Sequence, residues 1–200
     1  MSSTVKRVSA AATLLCAMTL GASFCAKAES AAEFFSAAYN KPGYYPTPGR
    51  VARSAIPRQV VSYRKTYRPG TIVINTKERR LYFVQTGGSA IKYGIGVGRP
   101  GFQWAGIKSV SRKAEWPGWT PPAAMRRRRP DLPRHMKGGI DNPLGARAMY
   151  LGSSLYRIHG SNEPGTIGQA VSSGCIRMTN DDVIHLYNRV RVGARVVVIR

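Results

Sequence analysis

The chain has few acidic residues, few cysteines and no apolar run of the length that crosses a membrane. Its 200 residues include 9 Asp and Glu against 31 Lys and Arg, a formal net charge of +22. This charge indicates an anionic partner, without distinguishing nucleic acid from a membrane face or an acidic polymer. No short period runs through the glycines, which excludes a collagen-like chain. The hydrophobic fraction of 43% can bury a core, which excludes a wholly disordered chain.

The apolar run 10–24 is shorter than the about 20 residues that a membrane-spanning helix needs. Lys6 and Arg7 precede it, and small residues follow at positions 26 and 28. This order is typical of a secretory signal sequence, so we predict that 1–28 is removed by cleavage. The mature protein is then exported to the periplasm or cell envelope and keeps no stable transmembrane segment. An uncleaved membrane anchor is the alternative.

Cysteine is scarce, and its positions matter. Cys16 and Cys25 leave with the predicted signal sequence, so Cys175 is the single thiol of the mature chain. One cysteine excludes an internal disulfide. With no second cysteine, a metal site built on Cys175 and a histidine is a poor alternative. An isolated cysteine is most often a small buried hydrophobe, so the surroundings of Cys175 decide whether it acts as a nucleophile.

Behind the signal sequence, we predict a linker over 29–69 and one domain over 70–200. The linker is basic and contains prolines and tyrosines without a helical or strand period. This composition is typical of an extended spacer, with binding to the cell wall or another anionic surface as the alternative. From residue 70 onward, alternating or β-branched runs separated by tight turns predict strands. The predicted strands are 71–75, 80–86, 91–97, 106–114, 147–151, 156–159 and 195–199.

One convincing helix follows Cys175. It begins at Thr179 or Asn180, because Asp181 and Asp182 occupy the first turn and apolar residues recur at helical spacing behind them. The predicted fold class is therefore mainly β, a mixed sheet or sandwich with one principal α-helix after the cysteine.

The segment 116–145 has little periodicity and contains the run WPGWTPP, four consecutive arginines and a Gly-Gly pair. A long irregular segment inside a compact domain is usually functional or disordered. Its aromatic residues and prolines favour an ordered flap over a site. The arginines are typical of a solvated loop face, and no strand carries the interleaved aromatics of a nucleic-acid groove. We therefore predict no nucleic-acid partner.

The candidate chemistry lies in one short window. His159 ends a predicted strand, and Cys175 follows a glycine-containing turn just ahead of the helix. A thiol becomes a strong nucleophile when an adjacent base takes its proton, so Cys175 and His159 in contact would form an activated pair. The peptide N–H groups around Gly174 and Cys175 are placed to stabilise a developing oxyanion.

Five motifs together are more specific than this pair. They are IVINTKERRLYFV (72–84), WPGWTPP (116–122), GIDNPLGARAMYLG (139–152), HG (159–160) and VSSGCIRM (171–178). The combination resembles the YkuD-like L,D-transpeptidase catalytic domain, over about 70–200. The resemblance implies Cys175 as nucleophile and His159 as base, with the backbone carbonyl of Gly160 orienting the histidine.

The resemblance also implies the substrate-binding residues. Arg177 would contact a substrate carboxylate or support the site, Ser173 and Gly174 belong to the turn before the nucleophile, and Trp116 and Trp119 belong to the flap. Many members of the family carry histidine at the position of Ser173, so no second imidazole is expected here.

The implied activity is peptidoglycan cross-linking without a metal or organic cofactor. The thiolate would attack the diaminopimelate carbonyl of a tetrapeptide stem and expel the terminal D-alanine. An amine of another stem, or of an envelope protein, would then resolve the thioester. Two alternatives remain open: an L,D-carboxypeptidase with water as acceptor, and a non-catalytic basic protein of the envelope that binds the wall.

Overall fold

The structure is a computed structural model that describes residues 54–64 and 66–200. The predicted signal sequence and the predicted linker up to residue 53 lie outside the described residues. Within the described part, no helix is both long enough and apolar enough to cross a membrane.

Short strands dominate the described part of the chain. The strands are β1 (Gln59–Ser62), β2 (Ile72–Asn75), β3 (Arg80–Val84), β4 (Ser89–Gly94), β5 (Val97–Gly98), β6 (Gly106–Glu115), β7 (Arg147–Leu151), β8 (Arg157–His159), β9 (Ala170–Ser172), β10 (Ile176–Arg177) and β11 (Arg195–Ile199). The helices are α1 (Ala123–Arg128), α2 (Asn180–Tyr187) and a 3₁₀ turn at Pro164–Thr166.

The strands form a mixed sheet. Nine of those described pair in the order β1-β4-β3-β2-β11-β6-β7-β8-β10, and β5 pairs separately with β9. The pairs β11–β2 and β10–β8 are parallel, and the other pairs of the nine-stranded sheet are antiparallel. The predicted fold class, mainly β with one principal helix after the cysteine, is confirmed.

Strand β6 joins two halves of the sheet. Its first residues pair with β11, and its later residues pair with β7 after a register shift between Val110 and Arg112. Such a bulge bends a strand and increases its twist. One hydrophobic core serves both halves of the sheet. Ile72 and Leu81 from the first half belong to the same buried cluster as Met149 and Ile158 from the second half.

Helix α2 is built by its own sequence. The Thr179 hydroxyl accepts a hydrogen bond from the Asp182 N–H at 3.2 Å, which satisfies one of the unpaired donors of the first turn. The acidic side chains of that turn interact favourably with the positive end of the helix dipole and so stabilise the helix. Val183 and Leu186, fully buried, pack into the core beneath the site. The predicted start of the helix is confirmed.

The sheet begins before the predicted domain boundary at residue 70. Strand β1 lies within the predicted linker, yet it pairs with β4 over four residues, and Tyr63 behind it is 8% exposed. Arg58 bonds Asp182 of α2 at 3.0 Å. In the structure, Gln59–Ser62 form a paired strand where the sequence predicted an extended spacer. An edge strand is paired along one side only and is half solvated, so its residues carry little of the apolar alternation that marks a strand in sequence.

Candidate active site

The pairing of β8 with β10 places the chain segments of the predicted nucleophile and base side by side. The two strands run parallel, with Ile176 opposite Ile158 and Arg177 opposite His159. Both isoleucines are buried in the core. Side chains alternate along a strand, so the residues flanking them face the other side of the sheet. Cys175 directly precedes β10 and His159 ends β8, so the pairing sets the two residues on adjacent chain segments at one end of the sheet.

His159 is held in one tautomer. Its side chain is buried, and Nδ1 lies 2.6 Å from the carbonyl oxygen of Gly160. A carbonyl only accepts, so Nδ1 carries the hydrogen and donates it, and the lone pair is on Nε2. Burial lowers the pKa of His159 to about 3, with a further decrease from the charge of Arg177. The imidazole is thus neutral near pH 7, with the Nε2 lone pair free to accept a proton.

Gly160 is fixed from both sides. Its N–H donates to the carbonyl of Arg147 at 3.0 Å, while its own carbonyl accepts from His159. A Cβ at this position would collide with Oδ1 of Asn180, the first residue of α2. The same Oδ1 accepts from the N–H of Ala146 at 2.9 Å. The helix start, the strand and the histidine acceptor therefore form one rigid unit.

Cys175 is partly exposed at the edge of this unit. Its Sγ donates a long hydrogen bond of 3.6 Å to the carbonyl of Leu155. Burial raises the pKa of the thiol, although the charge and N–H groups of Arg157 act in the opposite direction. Thiol and imidazole are therefore both uncharged near pH 7.

The turn before Cys175 is held by side-chain and aromatic contacts. The Ser172 hydroxyl donates to the carbonyl of Cys175 at 2.6 Å and accepts from the N–H of Gly174 at 3.1 Å. Gly174 has a φ of +106°, and an added Cβ would lie 2.6 Å from the Tyr156 ring. Only glycine fits such a position without strain. Trp104 stacks on Tyr156 and donates its indole N–H to the Gly174 carbonyl at 2.8 Å.

Two residues predicted to bind substrate have different surroundings. Arg177 forms an ion pair of 2.9 Å with Glu163, and both side chains are mostly buried. Its charge is therefore already balanced by a protein carboxylate. Ser173 is partly exposed, and its hydroxyl makes none of the hydrogen bonds found among the described residues. The adjacent Ser172, rather than Ser173, holds the turn.

The flap is an ordered lobe of its own. Trp119 and Met136 form an antiparallel bridge, and the N–H of Trp116 donates to the carbonyl of Ala146 at 2.8 Å. Neither tryptophan is linked to Cys175 or His159 by a hydrogen bond or ring contact of the described residues. The lobe approaches the site through the guanidinium of Arg128, which lies 5.6 Å from the Phe102 ring centroid. The Phe102 carbonyl in turn borders Gly174.

Sequence reasoning missed Trp104, Tyr156 and Arg157. The sequence could have indicated Arg157, because a residue two positions before His159 in the same strand lies on the same face of that strand as His159. Trp104 and Tyr156 had none, because their stacking depends on a contact between distant parts of the chain. Among the described residues, no cluster of three or more His, Cys, Asp or Glu is arranged to hold a metal ion.

A mixed sheet in which a thiol directly precedes one strand and a neutral imidazole ends the adjacent parallel strand is the arrangement that the sequence motifs predicted. The chain belongs to the YkuD family, the L,D-transpeptidase catalytic domain, whose family model matches residues 69–198. The resemblance seen in the sequence motifs is thereby confirmed.

Curated relatives carry the same family name. The chain is 40% identical over 161 residues to the probable L,D-transpeptidase ErfK/SrfK of Escherichia coli K12, covering 76% of this chain and 50% of that protein. It is 38% identical over 185 residues to the probable L,D-transpeptidase YbiS of the same strain, covering 82% and 58%. The chain thus spans about half the length of the curated relatives it matches.

Solved structures support the fold. An L,D-transpeptidase from Mycobacterium smegmatis matches with a TM-score of 0.53 at 20% identity, covering 65% of this chain and 58% of that one. One from Enterococcus faecium matches with a TM-score of 0.52 at 18% identity, covering 64% and 49%. At these identities the likeness concerns the fold alone.

Proposed function

We propose that this protein is an exported peptidoglycan L,D-transpeptidase that transfers an acyl group through Cys175. The donor is a tetrapeptide stem, cut between diaminopimelate and the terminal D-alanine. The acceptor is an amine of another stem or of an envelope protein. The observation that carries the proposal is the parallel pairing of β8, which ends at His159, with β10, which Cys175 directly precedes, together with the tautomer of His159 that leaves the Nε2 lone pair free.

The first half-reaction forms a thioester. As Sγ of Cys175 attacks the diaminopimelate carbonyl carbon, His159 Nε2 takes the thiol proton, and the carbonyl oxygen becomes an oxyanion. The N–H of Cys175 is the candidate peptide donor for this oxyanion, because that of Gly174 is already bonded to Ser172. Collapse breaks the C–N bond, and the imidazolium returns its proton to the departing amine of D-alanine.

The second half-reaction releases the product. An acceptor amine attacks the thioester carbonyl, His159 takes the proton of that amine, and the thiolate leaves and is reprotonated. The imidazolium formed in each half-reaction is stabilised by the carbonyl of Gly160 at Nδ1. The positive charges of Arg177 and Arg157 disfavour the imidazolium, which favours transfer of its proton to the leaving group.

The predicted signal sequence and the net charge of +22 support the location and the partner. Removal of 1–28 would deliver the domain to the periplasm, where peptidoglycan is found. The positive charge suits a polymer whose stems carry free carboxylates.

Intact-mass spectrometry of the protein 29–200, incubated with a disaccharide tetrapeptide, tests the proposal. We expect an acyl adduct on Cys175 and released D-alanine, and none of either with Cys175→Ala. Ser153→Ala, in the exposed turn after β7, is the control and should keep the adduct. A cross-linked product identifies an amine acceptor, whereas a free tripeptide stem with no cross-link identifies a carboxypeptidase. Retention on peptidoglycan with no adduct would contradict the proposal and leave a wall-binding protein.

A further inference from the structure

Arg157 lies beside the candidate nucleophile. The carbonyl of Leu155 accepts a hydrogen bond from the Arg157 guanidinium at 3.0 Å and a long one from Cys175 Sγ at 3.6 Å, so the two side chains meet at one acceptor. Both residues are partly exposed. The N–H groups and the charge of Arg157 act on the thiol itself.

The charge of Arg157 has no acidic partner among the described residues. Arg177 pairs with Glu163 at 2.9 Å and Arg147 with Glu115 at 3.0 Å. The described contacts of Arg157 are instead the carbonyl of Leu155 at 3.0 Å and the ring of Tyr150, whose centroid is 5.1 Å away. Its buried Nε makes no hydrogen bond. Of the two arginines whose charge acts on the thiol, Arg177 is paired with a carboxylate and Arg157 has no acidic partner among the described residues.

An uncompensated guanidinium suits a carboxylate ligand. Its planar fork of donors matches the two oxygens of a carboxylate, and the partly buried setting strengthens the contact. In the proposed function, which this inference extends, the donor stem ends in the D-alanine carboxylate one residue beyond the scissile carbonyl. We propose that Arg157, rather than the ion-paired Arg177, binds this terminal carboxylate and so selects stems that end at that residue.

A probe that needs no stem peptide provides the first test. Iodoacetate and iodoacetamide alkylate the same thiol, but only iodoacetate carries a carboxylate. Arg157→Gln should lower the ratio of their rates, iodoacetate over iodoacetamide, by about tenfold, since a charge-assisted contact is lost. Arg112→Gln is the matched control, because Arg112 stacks on the same Tyr150 ring at 3.7 Å. An unchanged ratio in Arg157→Gln would overturn the proposal.

The second test uses two donors, the tetrapeptide stem and the same stem with a terminal carboxamide. Arg157→Gln should lower kcat/KM for the carboxylate donor by about 10- to 100-fold, mainly through KM, and leave the carboxamide donor within a few-fold. Arg157→Lys should restore part of the loss. An equal decrease of kcat/KM on both donors would overturn the assignment. It would also be overturned if the effect of Arg157→Gln depended on amidation of the diaminopimelate side-chain carboxylate rather than of the terminal carboxylate.

The two tests separate this inference from the proposed function. If wild-type protein forms no acyl adduct with either donor, the transpeptidase proposal fails and the assignment fails with it. If the adduct forms but Arg157→Gln does not discriminate between donors, only the role of Arg157 is lost.

Discussion

The indole N–H of Trp104 donates to the carbonyl of Gly174 at 2.8 Å, one residue before the candidate nucleophile. Trp104 also stacks on Tyr156 at a centroid distance of 4.5 Å, and the Tyr156 ring closes the space beside Gly174. The turn that presents Cys175 is thus fixed by an aromatic pair from elsewhere in the chain. Positioning of this kind matters, because a small displacement of a nucleophile lowers the rate by large factors.

Trp104→Phe should weaken catalysis more than stability. The variant keeps an aromatic ring against Tyr156 but loses the hydrogen bond to the Gly174 carbonyl. We expect kcat for acyl-adduct formation to fall about tenfold, while the free energy of unfolding falls by about 1 kcal/mol. Stopped-flow acylation and urea unfolding measure the two quantities. Equal activity in the variant would show that the turn holds its geometry without Trp104.

Gly160→Ala should destabilise the domain, because its Cβ would meet Oδ1 of Asn180 and the backbone of Ala146. Overpacking of this kind costs about 1–3 kcal/mol. Gly165→Ala is the matched control, since nothing lies within 4 Å of its added Cβ and its backbone is not left-handed. Thermal unfolding of both variants gives the comparison. A loss as large in Gly165→Ala would mean that the crowding at Gly160 is not the cause.

The stability of the wild-type protein should fall as the pH falls below about 6.5. His159 has a pKa near 3 in the folded state and about 6.5 when unfolded, so the unfolded chain binds the proton first. Between pH 7.5 and 5.0 this removes about 2 kcal/mol of unfolding free energy. His159→Gln lacks the group, so its own decrease over that range should be smaller by this amount. Identical pH dependence in the two proteins would contradict a buried neutral imidazole.

The pH dependence of Cys175 alkylation should be that of a neutral thiol and not that of a preformed thiolate–imidazolium pair. Burial raises the thiol pKa and keeps the imidazole neutral, so the thiolate fraction grows with pH throughout the neutral range. We expect the iodoacetamide rate to increase about tenfold per pH unit from pH 6 to 8. N-acetylcysteine provides the reference slope. A rate that is constant from pH 5 to 7 would indicate a thiolate–imidazolium pair at rest.

A protein that starts at residue 70 should be less stable than one that starts at residue 54. The shorter chain loses β1, the packing of Tyr63 on Tyr82 at 5.0 Å, and the ion pair of Arg58 with Asp182. Asp182 is almost fully buried, and burial already raises its pKa, so loss of its partner leaves an unfavourable charge. We expect the melting temperature to fall by roughly 10 °C. Arg58→Gln in the longer chain separates the ion pair from the strand.

Local sequence patterns determined several elements of this protein. The β-branched runs of β2 and β11, the Thr179 cap with acidic residues behind it, and the His159 and Cys175 motifs all carry signals within a few residues. These signals are local because capping, alternation and turn chemistry act between near neighbours.

Tertiary structure decided the rest. The pairing of β10 with β8 places the chain segments of Arg157 and Cys175 side by side, and the stack of Trp104 on Tyr156 holds the nucleophile turn, although these partners are far apart in sequence. The same holds for β1, which becomes a strand because β4 offers an unpaired edge. Register and stacking depend on which distant segments meet, and that choice is made by the shared core of the whole domain rather than by any local run of residues.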